Sequence, residues 1–314
     1  MNSFLSLKDI EDLPALVEEA LSIKKNPLSY SDLGRQKSMC LLFLNPSLRT
    51  RLSSQKAAFN LGLDTAVLDV GSQGWKLEFG DKVVMDGDKA EHIKEAAAVI
   101  GSYFNVVALR AFAKLEDRTE DYSEIVIKTF QKYCPAPVIN MESSTGHPLQ
   151  AFADLITIEQ HKKVDKPKVV LTWAPHPQSL PQAVANSFSE WMQAANFDLT
   201  ITHPMGYELA EEFVGNASVE YDQNKAFKDA DFIYAKNWSS YSDYGKVLST
   251  DRSWMVSSEK MKLTNQAKFM HCLPVRRNIV VEDAVLDSPQ SIVIDQAANR
   301  ITSMQTVLKN ILEG

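Results

Sequence analysis

Apolar, β-prone runs alternate along the chain with stretches that repeat apolar residues at helical spacing. Met39–Leu44, Thr65–Val70, Val106–Leu109, Val138–Met141, Val169–Trp173, Leu199–Thr202, Phe232–Ala235, Lys268–His271 and Ile292–Ile294 read as strands. Runs this short and this apolar suit strands covered on both faces. Helices are predicted over Leu48–Leu61, Ala90–Ile100, Ser123–Tyr133, Leu149–Gln160, Gln182–Ala195 and Ala297–Leu312. Strand–helix alternation places the chain in the α/β class, with mainly parallel, doubly wound sheets. Its 314 residues suit two domains joined by long helices. The polar stretch His161–Pro167 marks the change between them. We expect residues 1–150 as the first domain, 151–296 as the second, and helix 297–314 packing back onto the first.

Two loops interrupt the alternation. Asp69–Asp88 contains Gly71, Gly74, Gly80, Gly87 and Trp75, and Ala174–Gln182 contains Pro175, Pro177 and Pro181. Long loops in compact domains are functional, lie at subunit contacts, or are plain surface.

Composition narrows the setting. Hydrophobic residues make up 45% and charged residues 23%, as in globular proteins that fold in water. No apolar run is long enough to span a membrane, so no membrane partner is expected. The net charge of −7, without a basic run, argues against nucleic acid. Cys40, Cys134 and Cys272 have neither disulfide-framework nor zinc spacing. Met1–Leu5 lacks the features of a signal peptide. A cytoplasmic protein without metal is expected. A dinucleotide fingerprint, a P-loop and a nucleophile elbow are all missing.

The candidate chemistry begins at Pro46-Ser47-Leu48-Arg49-Thr50-Arg51. Ser47 fits a helix N-cap, and Leu48, Leu52 and Phe59 fit a buried stripe. Arginines in a first helical turn face the positive end of the helix, a penalty of about 0.3–1 kcal/mol each. An anion bound by the helix-start amides would offset it. Arg110 also follows a strand, where a salt bridge is the plain alternative to a ligand. His147-Pro148 opens a helix with Pro148 at its first position. His147 there is either a structural cap or a neutral donor to a carbonyl oxygen. His271-Cys272 ends a strand, so neighbouring side chains would face opposite ways and not form a dyad. Cys272 is either a buried inert thiol or, beside Arg276 and Arg277, a functional one. Asp86-Gly87-Asp88 reads as a turn with a helix cap.

Together these segments resemble the carbamoyltransferase family. Ser47-Leu48-Arg49-Thr50-Arg51 looks like its S-T-R-T-R phosphate loop, with Leu48 departing at the second place. His147-Pro148-Leu149-Gln150 resembles H-P-x-Q, His271-Cys272-Leu273-Pro274 matches the H-C-L-P of the ornithine branch, and Asn299-Arg300 resembles a late arginine. The D-x-x-x-S-M-G segment that holds free ornithine is missing. Ala235–Ser240 and the proline-rich loop resemble the acylornithine enzymes instead, whose substrate lacks a charged α-amine. Ala90 stands where acetyl-specific members carry glutamate and succinyl-specific members carry proline. Its lack of a carboxylate favours a succinyl group, and Arg276 is suited to pair with that group's second carboxylate.

The resemblance implies transfer of the carbamoyl group of carbamoyl phosphate to the δ-amine of N-succinylornithine. The alternatives are N-acetylornithine, free ornithine, and a non-catalytic binding homologue. Ser47, Leu48, Arg49, Thr50, Trp75, Arg110, His147, Pro148, Leu149, Gln150, Cys272, Leu273 and Arg300 would bind carbamoyl phosphate. Arg110, His147 and Cys272 would be catalytic. Glu142, His176, Lys236, Arg276 and Ala90 would face the acylornithine. No cofactor is implied. A homotrimer with Trp75 reaching a neighbouring site is implied, as is a knotted crossing in the second domain.

Overall fold

Strands β1 (Ser38–Phe43), β2 (Asp64–Asp69), β3 (Val106–Arg110) and β4 (Val138–Glu142) form one parallel sheet in the order β2-β1-β3-β4. β3 and β4 are buried along their whole length, which explains their continuous apolar sequence. Helices α1 (Leu13–Lys25), α2 (Leu48–Asn60), α3 (Ile93–Tyr103) and α4 (Ile125–Tyr133) belong to the same unit. Its core joins Cys40, Leu42, Val107 and Leu109 of the sheet to Ile93, Ala97, Ile127 and Phe130 of α3 and α4. Residues 1–70, 74–80 and 82–314 are described by this computed structural model. Gly71 of the glycine-rich loop lies outside them.

Helix α5 (Pro148–His161) carries the chain into the second unit, which comprises residues 115–118 and 150–299. There β5 (Lys168–Trp173), β6 (Asp198–Thr202), β7 (Ser218–Glu220), β8 (Phe232–Lys236) and β9 (Lys268–Met270) form a parallel sheet in the order β9-β8-β5-β6-β7. Val170, Ile233 and Phe269 anchor its core. Helix α6 (Ala183–Ala194) follows the proline-rich loop, and α7 (Val293–Glu313) returns the chain to the first unit, which comprises residues 1–114, 119–149 and 300–314. No helix among the described residues is long and apolar enough to cross a membrane.

In each sheet the strand order reverses once, between β1 and β3 and between β5 and β8. Ligands of open α/β sheets bind beyond the strand ends at such switch points. Pro46–Arg51 follows β1, Arg110 ends β3, the proline-rich loop follows β5 and Lys236 ends β8, whereas His147 and His271 come after β4 and β9.

Several expectations are corrected. Leu48, Leu52 and Phe59 are not a buried stripe; they are 72%, 57% and 68% exposed. The buried face of α2 is Thr50, Ser54, Ala57 and Ala58, small residues that allow close approach to neighbouring elements. Ile292–Ile294 is not a strand, because α7 begins at Val293. β9 stops at Met270, so His271 and Cys272 lie beyond the strand and alternation does not govern them. α3 starts at Ile93 with His92 as its cap, so Asp86-Gly87-Asp88 caps no helix among the described residues. Asp88 instead pairs with Lys76. The helix α1, capped by Asp12 with a proline in its first turn, was not expected.

Candidate active site

In the first unit, β1 ends at Phe43 and α2 opens at Leu48 under a Ser47 cap. The Ser47 hydroxyl accepts from the Thr50 N–H at 3.3 Å and lies 2.9 Å from the Thr50 hydroxyl. Such a cap contributes about 1 kcal/mol. Thr50 Oγ1 in turn accepts from Arg110 at 2.9 Å and from Arg300 at 2.7 Å. Thr50, Arg110 and Arg300 are all buried. Two guanidinium groups thus converge on one neutral hydroxyl at the positive end of a helix. That arrangement favours a multiply charged anion.

Arg110 also pairs with Glu142 at 2.8 Å, and Glu142 lies 3.4 Å from His147 Nε2. Removing one member of a buried pair typically costs about 3–5 kcal/mol. The Arg110 guanidinium sits 4.3 Å from the Phe112 ring centre. Arg110 is therefore both a salt-bridge residue and part of the cluster. Arg49 is half-buried and Arg51 exposed. Pro148 takes the first position of α5. Leu149 is buried, and its carbonyl accepts from Ser303 at 2.8 Å. The turn before His147 is pinned by Glu124, whose carboxylate accepts from Ser143 Oγ and the Thr145 N–H, each at 2.7 Å.

Trp75 and Ala90 flank a short ribbon pairing Leu77–Glu78 with Glu91–His92. Both are exposed. Trp75 Nε1 donates to Glu91 at 2.8 Å, and the Ala90 N–H donates to the Lys76 carbonyl at 3.1 Å.

In the second unit, His176 follows β5 and Lys236 ends β8. Arg276 Nε donates to His176 Nε2 at 3.0 Å. Guanidinium only donates, so Nε2 carries the lone pair and Nδ1 the hydrogen. In that tautomer Nδ1 donates to the Gln178 carbonyl, 2.9 Å away, and the Gln178 N–H, 3.0 Å from Nδ1, is not its donor. Burial holds His176 below the usual histidine range; the Gln178 contact opposes this, while Arg276 and Lys236 add to it. The buried Lys236 ammonium donates to the Asn237 carbonyl at 3.0 Å. Arg277, expected to favour a reactive Cys272, is instead bound on the surface by Asp283 and Asp287.

Gln150 Nε2 donates to Asp154 at 2.8 Å, and Gln296 Nε2 donates to the same carboxylate oxygen at 2.7 Å. Gln296 Oε1 accepts from the His271 N–H at 2.9 Å, and His271 Nδ1 accepts from the Leu273 N–H at 2.8 Å. The turn that carries Cys272 is thereby held on both sides. Leu273 itself has φ 55°, a left-handed backbone that costs of order 1–3 kcal/mol. The buried Tyr234 phenol is pushed well above its usual range by burial, with Asp154 and Cys272 beside it. Sequence reasoning missed Glu124, Asp154, Tyr234 and Gln296. Only Asp154 left a local signal, four residues after Gln150 on one helix face.

The profile of the aspartate/ornithine carbamoyltransferase carbamoyl-P binding domain matches residues 2–160, and that of the Asp/Orn binding domain matches residues 181–311. The chain belongs to the aspartate/ornithine carbamoyltransferase family. This carbamoyltransferase is 57% identical to a protein of Bacteroides thetaiotaomicron named N-succinylornithine carbamoyltransferase, covering 100% of this chain and 99% of that one. It is 38% identical to an N-acetylornithine carbamoyltransferase of Xanthomonas campestris, covering 98% and 97%. A solved N-acetyl-L-ornithine transcarbamylase superposes with a TM-score of 0.94 at 37% identity, covering 99% of this chain and 100% of that one. That structure is a glutamate-to-alanine mutant complexed with carbamyl phosphate and N-succinyl-L-norvaline.

Proposed function

We propose that the chain transfers the carbamoyl group of carbamoyl phosphate to the δ-amine of N-succinylornithine, giving N-succinylcitrulline and phosphate in arginine biosynthesis. The convergence of Arg110 and Arg300 on Thr50, at the capped start of α2, carries the reading. In this reading Ser47, Leu48, Arg49, Thr50 and Arg300 hold the phosphate through side chains and helix-start amides. Arg110 and His147, oriented by Glu142, polarise the carbonyl and stabilise the oxyanion. Pro148 and Leu149 set the start of α5, and Gln150 and the Leu273 carbonyl orient the carbamoyl NH₂. Cys272 handles the proton that the attacking amine must lose. Carbamoyl phosphate brings its own activation, so the chemistry needs no cofactor.

Glu142, His176, Lys236, Arg276 and Ala90 face the acylornithine, with Arg276 pairing the succinyl carboxylate. The 57% identity to the Bacteroides protein supports succinyl over acetyl. So does the solved N-acetyl-L-ornithine transcarbamylase whose glutamate-to-alanine mutant is complexed with carbamyl phosphate and N-succinyl-L-norvaline. Ala90 stands where the resemblance places that family's acetyl-specific glutamate.

A cytoplasmic homotrimer completes the proposal. Trp75 reaches a neighbouring subunit's carbamoyl phosphate, and the exposed apolar face of α2 supports subunit contact. We also propose that the segment after β8 threads the proline-rich loop. Supporting this, the Ala174 N–H donates to the Lys236 carbonyl at 3.1 Å, Asn237 donates to the Ala174 carbonyl at 2.7 Å, and the Ser239 N–H donates to the Leu180 carbonyl at 2.9 Å. A crystal structure with an unthreaded crossing refutes the knot.

The function is tested with purified protein, carbamoyl phosphate and, in turn, N-succinylornithine, N-acetylornithine and ornithine, measuring phosphate release and ureido product. Turnover is expected with the succinyl substrate. Turnover with free ornithine alone overturns the acyl assignment, and binding without turnover overturns the enzyme reading.

A further inference from the structure

Asp154 is a fully buried carboxylate on α5, one helical turn beyond Gln150. Its Oδ1 receives the NH₂ groups of two amides, Gln150 at 2.8 Å and Gln296 at 2.7 Å. By accepting both NH₂ groups on one oxygen, Asp154 selects one orientation of each amide. For Gln296 the consequence is visible: its oxygen, on the other arm, accepts from the His271 N–H at 2.9 Å. Gln150 is oriented in the same way and is 1% exposed. Among the described residues, no protein donor meets its Oε1. Held this way, the amide oxygen offers its lone pairs to an incoming N–H.

We propose that Asp154 is a positioning residue that fixes Gln150 as an acceptor, so that the site selects an acyl phosphate bearing NH₂ over its methyl counterpart. The inference rests on the carbamoyl-transfer reading and names the residue that enforces its selectivity. Asp154 acts through two arms. One fixes the Gln150 amide; the other, through Gln296 and His271, braces the turn carrying Cys272 and Leu273. Asparagine at this position presents either an oxygen or an NH₂, so both orientations of Gln150 become acceptable and the preference is lost.

The test uses a matched pair of non-hydrolysable phosphonates, phosphonoacetamide and its methyl ketone analogue, 2-oxopropylphosphonate, titrated by calorimetry. Wild-type protein should favour the amide by roughly tenfold, the worth of one hydrogen bond. Asp154→Asn should reduce that ratio several-fold, to the value of Gln150→Ala, with the ketone's affinity falling less than the amide's. A ratio retained in Asp154→Asn overturns the positioning role alone, as does an equal weakening of both ligands. Wild-type protein that binds neither phosphonate overturns the carbamoyl-transfer reading instead. Should Asp154→Asn not fold, neutron diffraction of the wild-type phosphonoacetamide complex decides the matter. Deuterium on the Gln150 arm facing Asp154 and oxygen facing the ligand amide support the proposal; the reverse orientation overturns it.

Discussion

At Thr50 one hydroxyl oxygen stands between two buried guanidinium groups. Thr50→Val keeps the shape and removes that acceptor. Hydrogen bonds to charged groups contribute about 1.5–3 kcal/mol, so the valine variant should bind phosphonoacetamide about 10- to 100-fold more weakly by calorimetry, with Thr50→Ser close to wild type. His176 offers a pH test. Burial, with Arg276 and Lys236 nearby, lowers its pKa, so the folded protein prefers the neutral ring. Above the unfolded histidine value of about 6.5 it costs nothing. As pH falls below that value, the unfolded chain takes the proton first and stability drops, until the folded ring also protonates. Arg276→Ala should move the His176 titration, followed by NMR, back toward the ordinary value. Arg49, Thr50 and Arg110 were legible as cations and a hydroxyl at element ends, whereas Arg300 lies inside α7 and was marked only by its likeness to the family's late arginine. The Asp154–Gln296 bond was not, because its partners are 142 residues apart and glutamine carries no distinctive pattern.

At the level of elements, α2 shows where patterning misleads. Its start and its serine cap follow from sequence, yet its apolar residues mark the wrong face. Ser54, Ala57 and Ala58 are the buried ones, because a helix packed closely inside its unit needs small side chains there. Leu48, Leu52 and Phe59 are left outside, and an exposed patch of this kind marks an interaction surface. Leu52→Glu should therefore leave the circular dichroism and thermal midpoint of the protomer nearly intact while shifting the light-scattering mass from that of the proposed trimer to that of a monomer. An unchanged trimer would remove this face from the proposed interface. Strands were easier to place than helix faces, since buried parallel strands are apolar throughout and need no choice of side. β7 escaped notice because it is three residues long and largely exposed.

For the molecule as a whole, alternating strands and helices were enough to indicate two parallel sheets, and the four family segments fall in order along both units. The choice of acyl group was least legible. In the proposed function it rests on Ala90, an exposed residue on a loop whose conformation no periodicity dictates. Ala90→Glu should shift the ratio of kcat/KM for acetyl over succinyl substrate upward by about tenfold, since a new carboxylate opposes the succinyl one. An unchanged ratio would mean that the loop does not read the acyl group. The hydrogen bond from Arg300 to Thr50 joins residues 250 positions apart. Thr50 leaves the ribosome long before that arginine is made. A polypeptide released too early, upstream of Arg300, therefore lacks half of its positive cradle. Errors of translation should yield inert protein rather than a leaky catalyst that consumes carbamoyl phosphate.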